Sequence, residues 1–342
     1  MKLYLFLSIL LLSQHVYTKQ NLQSYNIDIH ETSVSGLSAG AFMAVQLHIA
    51  FSSYMVGAGI VAGGPYICAQ GEIGTALSNC MTYPNGINVE TLQSKMMELN
   101  QERSIDQLQN ISGQKVYLFS GSDDTVVKPG VVEKLQSQYE YFFANVKTNY
   151  DIPSQHAWIT DDFGNKCNYK GNPYMNNCNF NLAEAILTYI FDDLNDPVDQ
   201  IEDNLIEFDQ SQFTQDGDSM NSVGYIYVPT SCQKGNECKV HIALHGCVQT
   251  LDDIGTDFVK NTGLNEFAES NNIIVLYPQC KKSLINPSNP NGCFDWWGYT
   301  DSNLFGKNYT YATKDGVQMK EIFQMLSTLA GKSKQNNEQI YE

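Results

Sequence analysis

A serine lies between two glycines in the run Gly36-Leu37-Ser38-Ala39-Gly40, in a setting that favours nucleophilic chemistry. A β-prone run, residues 31–35, precedes it, and a helical run, residues 41–50, follows it. A strand that turns at once into a helix crowds the backbone, and glycines relieve the crowding because they lack a Cβ. The pattern predicts a nucleophile elbow, with the Ser38 hydroxyl exposed and the helix N-terminus favouring developing negative charge. Such small-residue runs are common, so the rest of the chain has to support the assignment.

A serine nucleophile requires a base, and the histidines of the chain differ in their suitability. His30 and His241 lie in predicted strands, and His48 lies well inside the helix after the elbow. His245 precedes a glycine at a strand end, which suits an oxyanion turn better than a base. His156 lies in a loop downstream of the elbow, so we predict that it is the base.

Two adjacent carboxylates compete for the role of the acid that orients the base. Asp123 and Asp124 follow a clear strand, residues 115–120. Open parallel sheets place their sites at the carboxyl ends of strands, although solvated turn residues are the alternative explanation. The order Ser38, aspartate, His156 is that of the α/β-hydrolases.

An oxyanion hole requires two backbone N–H donors. The residue after the nucleophile, Ala39, would supply the first. Residues 244–247, Leu-His-Gly-Cys, end an apolar strand with the His-Gly pattern of esterases, so the Cys247 amide is predicted to be the second donor. In ordinary α/β-hydrolases this strand precedes the nucleophile in the sequence, whereas in this chain the strand comes after Ser38. We therefore predict a circularly permuted chain whose join lies near the acidic residues 192–221.

The elements that must position these residues alternate between strand and helix. β-prone runs cover residues 26–35, 56–64, 115–120, 148–152, 223–228, 238–244 and 273–277, and helical runs cover 41–50, 89–109, 129–146, 182–191, 258–270 and 316–329. This alternation predicts an α/β fold with a mostly parallel central sheet flanked by helices and disulfide-stapled loops. We expect residues 19–342 to form a single catalytic domain.

Composition excludes several classes of function. A net charge of -17 over 342 residues argues against binding to nucleic acid or to anionic membranes, because both require basic patches. An acidic surface would also repel anionic substrates, so a neutral substrate is favoured. Metal-ligand spacings such as Cys-x-x-Cys are missing from the sequence, so we expect no metal and no cofactor. Separately, we expect the protein to be a monomer.

The N-terminus predicts export. Lys2 precedes an apolar run, residues 3–12, and Val16-Tyr17-Thr18 is a tolerable cleavage site, so residues 1–18 are interpreted as a signal peptide. The run is shorter than the roughly 20 residues of a membrane span. We expect a protein that is secreted, or held in the lumen of a digestive vesicle, with glycosylation sequons at Asn110 and Asn308.

The nine cysteines fit an oxidising compartment. Proximity in the sequence pairs them as Cys68–Cys80, Cys167–Cys178, Cys232–Cys238 and Cys280–Cys293. Cys247 is left over and needs no partner in the oxyanion turn. Eight cysteines allow 105 connectivities, so this pairing rests on proximity alone.

Seven segments together resemble the secreted poly(3-hydroxybutyrate) depolymerases with a circularly permuted α/β-hydrolase domain. They are residues 36–40, 121–127, 156–158, 224–229, 240–249, 275–279 and 292–299, and they span nearly the whole mature chain in the family's order. In the family pattern Gly-Thr-x-Asp-x-x-Val the acid falls on Asp124. Many members have Gly-His-Gly-Trp where this chain has Ser-Gln-His-Ala-Trp around His156, so the local turn is expected to differ.

The resemblance implies a serine esterase that cuts ester bonds of short-chain polyhydroxyalkanoate. Family members place a Trp-rich loop near the substrate crevice, which implies polymer contacts for Trp296, Trp297 and Tyr299, with loop packing as the alternative. No Thr-rich linker or polymer-binding module follows, so soluble oligomers and other small esters are also expected substrates. The alternatives are another secreted carboxylesterase, of the feruloyl or acetyl-xylan type, and a catalytically inactive binding protein.

Overall fold

The structure is a computed structural model that describes residues 20–301 and 309–331. The predicted signal peptide, residues 1–18, and the sequon at Asn308 lie outside the described residues. Within the described ranges, no helix combines the length and the apolar character needed to cross a membrane.

Eleven strands and ten α-helices are present in the described part of the chain, together with five short 3₁₀ helices. The strands are β1 (Ile27–Leu37), β2 (Met55–Val61), β3 (Lys115–Phe119), β4 (Asn145–Asn149), β5 (Trp158–Thr160), β6 (Asn165–Lys166), β7 (Met175–Asn177), β8 (Leu205–Asp209), β9 (Val223–Tyr227), β10 (Cys238–Leu244) and β11 (Ile273–Tyr277). The helices are α1 (Ala39–Ala50), α2 (Ile73–Ser78), α3 (Val89–Gln101), α4 (Pro129–Tyr141), α5 (Leu182–Phe191), α6 (Thr230–Gln233), α7 (Leu251–Ile254), α8 (Asp257–Asn261), α9 (Leu264–Asn271) and α10 (Val317–Leu329).

Eight of the strands form the central sheet, in the order β4-β3-β2-β1-β10-β11-β9-β8. The first six strands in this order are parallel to one another. β9 is antiparallel to β11, and β8, at the edge of the sheet, is antiparallel to β9. Helices α5 and α9 pack on each other and on the sheet, while α1 and α10 contact β1. The predicted mostly parallel α/β fold is confirmed.

The chain leaves β1 in one direction to β2 and returns much later to place β10 on the other side of β1. Loops that follow two adjacent parallel strands then diverge, and this opens a crevice at their carboxyl ends. The loops after β1 and β10 are the predicted elbow and oxyanion turn. The two loops therefore begin side by side because β1 and β10 are neighbours in the sheet, and not because they are close in the sequence.

Three predicted helices and one predicted strand have the wrong bounds. The helix predicted over 129–146 ends at Tyr141, and the next strand is Asn145–Asn149, earlier than the predicted 148–152. The helix predicted over 258–270 is split in two, because Gly263 adopts a left-handed φ of 81° between α8 and α9. The helix predicted over 89–109 ends at Gln101.

The acidic segment 192–221 contains a strand that its composition concealed. β8, Leu205–Asp209, pairs antiparallel with β9 and forms the edge of the central sheet. Edge strands are commonly short and charged, which protects them from pairing with other chains. Their apolar alternation is correspondingly weak, so this one reads as surface loop.

Three of the expected disulfides are present, Cys68–Cys80, Cys167–Cys178 and Cys232–Cys238. The fourth prediction is wrong: Cys293 pairs with Cys247, 46 residues away, and Cys280 is a free buried thiol. Cys280 lies three residues after the end of β11, and its sulfur is 3.7 Å from the Met220 sulfur. Parallel strands bring loops together that are distant in sequence, so proximity along the chain selected the wrong partner.

Candidate active site

The elbow at Ser38 is a strained turn between β1 and α1. Ser38 has φ 56° and ψ -120°, a conformation that ordinarily costs of order 1–3 kcal/mol outside glycine. A Cβ on Gly36 would lie 2.3 Å from the Gly40 oxygen, and a Cβ on Gly40 would lie 2.2 Å from the Leu244 oxygen. Both glycines are thus required by close backbone approach, and the second one lets the end of β10 pack against the elbow.

Asp124 and His156 form a buried hydrogen-bonded pair, with His156 Nδ1 2.7 Å from Asp124 Oδ2. The other carboxylate oxygen, Oδ1, accepts from the backbone N–H groups of Val126 at 2.7 Å and Val127 at 3.0 Å. These bonds fix the carboxylate, and the carboxylate fixes the imidazole, so His156 Nε2 remains for chemistry. Asp123, the competing carboxylate, is exposed.

The remaining histidines have structural partners. His30 is exposed on β1 and stacks on Tyr54 at 5.0 Å between ring centroids. His48 is buried in α1, with Nδ1 2.9 Å from the Tyr139 hydroxyl, and burial lowers its pKa to about 4. His241 is buried in β10 and bonds the hydroxyls of two serines of β1 at 2.7 Å each, and burial lowers its pKa to about 3.

The turn after β10, residues 245–249, lies beside the elbow and is called the oxyanion turn below. Gly246 and Cys247 line the same cavity as Ser38 and His156. The Cys247 side chain is bonded to Cys293, so the turn is tied to the Trp-rich loop. Ser38 and His156 from the first half of the chain and Cys247 from the second half therefore line one cavity.

A cavity of about 670 Å³ contains Ser38 and His156 in its lining. Its size is that of sites for small organic ligands. Most other lining side chains are apolar or aromatic, namely Leu37, Ile73, Leu77, Met81, Val126, Tyr174, Val248, Pro290, Trp296, Trp297 and Tyr299. Such a wall suits an uncharged substrate.

The Trp-rich loop that forms one wall, residues 293–300, is organised around the buried carboxylate of Asp295. Its Oδ1 accepts from the N–H groups of Gly298 at 2.7 Å and Tyr299 at 3.0 Å, and its Oδ2 accepts from the Thr300 N–H and hydroxyl at 2.9 and 2.6 Å. Burial raises the Asp295 pKa, and these donors oppose the rise. Asp295 had no role assigned from the sequence. An aspartate followed by Trp-Trp-Gly-Tyr is nevertheless typical of a turn in which the aspartate side chain accepts hydrogen bonds from the backbone N–H groups that follow it.

The three aromatic residues predicted to contact substrate all line the cavity, but they are not equivalent. Trp296 stacks on Phe42 at 4.2 Å between centroids, and its buried indole N–H has no acceptor among the described residues. Trp297 is half-buried and packs against both neighbouring rings. The Tyr299 hydroxyl already bonds the Cys293 oxygen at 2.6 Å, so its ring faces the cavity while its polar end serves the loop.

Two parts of the cavity lining, helix α2 and Tyr174, had no function assigned to them from the sequence. Helix α2 contributes Ile73 and Leu77, which are 49% and 56% exposed at the rim. Tyr174 contributes a ring that lies edge-on to His156 at 6.2 Å between centroids. The signal that the sequence offered for α2 is a pair of apolar residues four positions apart, Ile73 and Leu77, between Cys68 and Cys80.

Two curated proteins are similar to this chain over most of its length. The chain is 44% identical over 323 residues to the poly(3-hydroxybutyrate) depolymerase of Delftia acidovorans, covering 92% of this chain and 63% of that protein. It is 39% identical over 300 residues to the polyhydroxybutyrate depolymerase of Talaromyces funiculosus, covering 82% of this chain and 86% of that protein. The chain thus spans less than two thirds of the length of the Delftia relative.

Two solved structures resemble the fold closely, each with a TM-score of 0.82 and each matched over 92% of this chain and 100% of the other. One is the crystal structure of PHB depolymerase from Penicillium funiculosum, at 35% identity. The other, at 34% identity, is a PHB depolymerase with a serine replaced by alanine, complexed with an R3HB trimer. No family model matches the chain.

Proposed function

Because the chain belongs to the poly(3-hydroxybutyrate) depolymerase family, we propose that it is a serine hydrolase of polyesters. It cleaves ester bonds of poly(3-hydroxybutyrate) or of its oligomers through an acyl-enzyme. The observation that carries the proposal is the buried Asp124–His156 hydrogen bond, 2.7 Å long, at the cavity that Ser38 enters from a strained elbow.

The first step is acylation. Ser38 Oγ attacks the ester carbonyl carbon while His156 Nε2 takes the hydroxyl proton, and Asp124 stabilises the imidazolium that results. The tetrahedral intermediate collapses when its bond to the alcohol oxygen breaks, and His156 returns the proton to that oxygen. The elbow places Ser38 in the lining of the cavity.

The second step is deacylation. A water molecule gives a proton to His156 Nε2 and attacks the acyl carbon, and the acid is released as the Ser38 hydroxyl is restored. In both steps negative charge develops on the carbonyl oxygen. The N–H groups of Ala39 and Cys247 hold that oxygen, and each such donor is worth about 10² to 10³ in rate.

The cavity favours an aliphatic ester over a charged substrate. Its wall is mainly apolar, and the chain carries a net charge of -17, which repels anions. Exposed Ile73 and Leu77 at the rim suit an apolar polymer chain that extends beyond the cavity.

Secretion is part of the proposal. It is supported by the apolar N-terminal run and by four disulfides within the described residues. The sequon asparagine Asn110 is half-buried, with its side-chain nitrogen 3.4 Å from the Ser52 hydroxyl. Glycosylation there would require this weak contact to open.

Hydrolysis of a 3-hydroxybutyrate trimer, with amorphous and crystalline polymer beside it, tests the proposal. The wild-type chain should cleave the trimer, and Ser38→Ala should be inactive with an unchanged circular dichroism spectrum. Full activity in Ser38→Ala would refute the assigned nucleophile. Faster turnover of feruloyl or acetylated sugars than of the trimer would refute the polyester assignment and leave the serine hydrolase intact.

A further inference from the structure

Two buried side chains of the oxyanion turn have no part in the reaction steps above. We propose that His245 and Gln249 are positioning residues that fix the Gly246–Cys247 peptide, so that its N–H is held ready as an oxyanion donor. The proposal rests on the proposed function, because it concerns the second donor of that reaction.

His245 holds the carbonyl end of this peptide. Its Nε2 accepts from the Cys280 N–H at 3.0 Å, so the ring proton is on Nδ1, which donates to the Gly246 oxygen at 2.7 Å. The C=O and N–H of a trans peptide point in opposite directions. Fixing the Gly246 oxygen toward the ring therefore directs the Cys247 N–H away from it.

The surroundings of His245 keep it in the form that this contact needs. The ring is fully buried between Phe258 and Phe294, at 6.3 and 4.9 Å between centroids. Burial lowers its pKa to about 4, so near pH 7 the ring is neutral and Nε2 remains an acceptor. The Cys280 N–H thus fixes the tautomer by donating to Nε2, and the proton that remains on Nδ1 is donated to the Gly246 oxygen.

Gln249 holds the preceding peptide. Its Oε1 accepts from the Gly246 N–H at 2.7 Å, and its Nε2 donates to the Pro173 oxygen at 2.8 Å. An amide provides an acceptor and a donor at one end of a side chain, which a carboxylate does not. Pro173 precedes Tyr174, the ring that lies edge-on to His156, so Gln249 also ties the turn to the segment beside the base.

The clamped turn lies directly against the nucleophile. A Cβ on Gly246 would lie 3.4 Å from the Ser38 Cβ and 3.0 Å from Gln249 Oε1. The Val248 N–H donates to the Asn291 oxygen at 2.7 Å, while the Cys247 N–H makes no hydrogen bond among the described residues. The neighbouring backbone groups of the turn therefore have hydrogen-bond partners, and the Cys247 N–H is left free. A donor that is fixed beforehand needs no reorganisation during the reaction.

Gln249→Glu and His245→Phe test the clamp, with p-nitrophenyl butyrate as substrate. Gln249→Glu keeps the shape and removes the donor to Pro173, whereas His245→Phe keeps the ring between its aromatic neighbours and removes both nitrogens. We expect kcat to fall about 10-fold to 100-fold in each, because one of two oxyanion donors loses its alignment, with KM little changed. The inhibition constant of a boronic acid, which forms a tetrahedral adduct on serine, should rise by a similar factor.

Gln114→Glu is the matched control. The Gln114 side chain also donates to two backbone carbonyls, those of Ser52 and Met55, but it lies before β3 and outside the cavity lining. It should lower thermal stability and leave kcat and boronic-acid affinity unchanged. Should Gln249→Glu fail to fold, Gln249→Met, which removes both polar ends at similar volume, tests the same step.

The double variant tests whether the two residues act through one peptide. If they do, its kcat should be close to that of the worse single variant, since residues in one network are not additive. Wild-type kcat in a folded Gln249 variant, or equal losses in the Gln114→Glu control, would overturn the clamp. Such a result would leave the proposed function standing, whereas activity in Ser38→Ala would remove the function itself.

Discussion

The backbone of Gly40 lies against the carbonyl group of Leu244, so closely that a Cβ on Gly40 would come within 2.2 Å of that oxygen. Gly40 belongs to the first turn of the helix after Ser38, and Leu244 ends β10, the strand that leads to residues 245–249. This contact joins the two halves of the chain at the site. The final glycine of the elbow motif is therefore needed by a strand that arrives two hundred residues later.

Gly40→Ala should separate the elbow from the oxyanion strand. The new methyl group meets backbone atoms, which cannot rotate away, so we expect loss of both stability and kcat. The measurements are the urea midpoint and ester turnover. Gly74→Ala, in helix α2 with nothing within 4 Å of its Cβ position, is the control and should retain full turnover. Normal turnover in Gly40→Ala would contradict the close approach.

Asp124→Asn should reduce kcat by about 10⁴, because the amide no longer holds the imidazole in the tautomer that leaves Nε2 free as base. The fold should be retained, since the amide oxygen can still accept from the Val126 and Val127 N–H groups. Asp123→Asn is the matched control, as its carboxylate is exposed, and it should have near-normal kcat. A reversal of these two effects would identify Asp123 as the acid.

Trp296→Phe should raise KM for the hydroxybutyrate trimer and have little effect on a short ester such as p-nitrophenyl acetate. Phenylalanine can keep the stack on Phe42 but removes part of the apolar cavity wall that Trp296 forms. Loss of such an apolar contact is worth about 1 kcal/mol, or several-fold in KM. Equal effects on both esters would indicate a packing role instead.

Acid should destabilise the fold through its buried histidines. The pKa of His48 falls from 6.5 to about 4 on burial, so the unfolded chain binds the proton first as pH falls. The stability is complete above pH 6.5 and is lost toward pH 4, with about 2 kcal/mol lost per such histidine between pH 7 and pH 5. His48→Phe should reduce the pH dependence of the unfolding free energy by that amount.

Tyr139→Phe is the matched control for this titration. It removes the hydroxyl that bonds His48 Nδ1 at 2.9 Å, but it keeps the imidazole. Its stability should be lower at both pH values, with the difference between them close to that of the wild type. If His48→Phe retains the full pH dependence, His48 is not one of the groups responsible.

The elements of the sheet could be predicted from the sequence because their signals are local. A strand such as residues 273–277 is marked by its own apolar run, and the elbow is marked by the glycines on either side of Ser38. Both signals lie within a few residues of the chain, so the local sequence pattern identifies them. Where the apolar pattern is weak the prediction was wrong. The edge strand β8 is charged on a surface edge, and Gly263 interrupts a helix whose apolar pattern continues across it.

The sequence by itself determined the fold class and the candidates for the site: an elbow serine, an aspartate at a strand end, and a single histidine in a loop. Only the tertiary structure decided which groups meet. It placed Asp124, and not Asp123, on His156, paired Cys247 with Cys293, and brought Gln249 to the Pro173 carbonyl. These contacts depend on which strands lie side by side, and strand order is fixed by packing of the whole sheet, so no stretch of the chain encodes them locally.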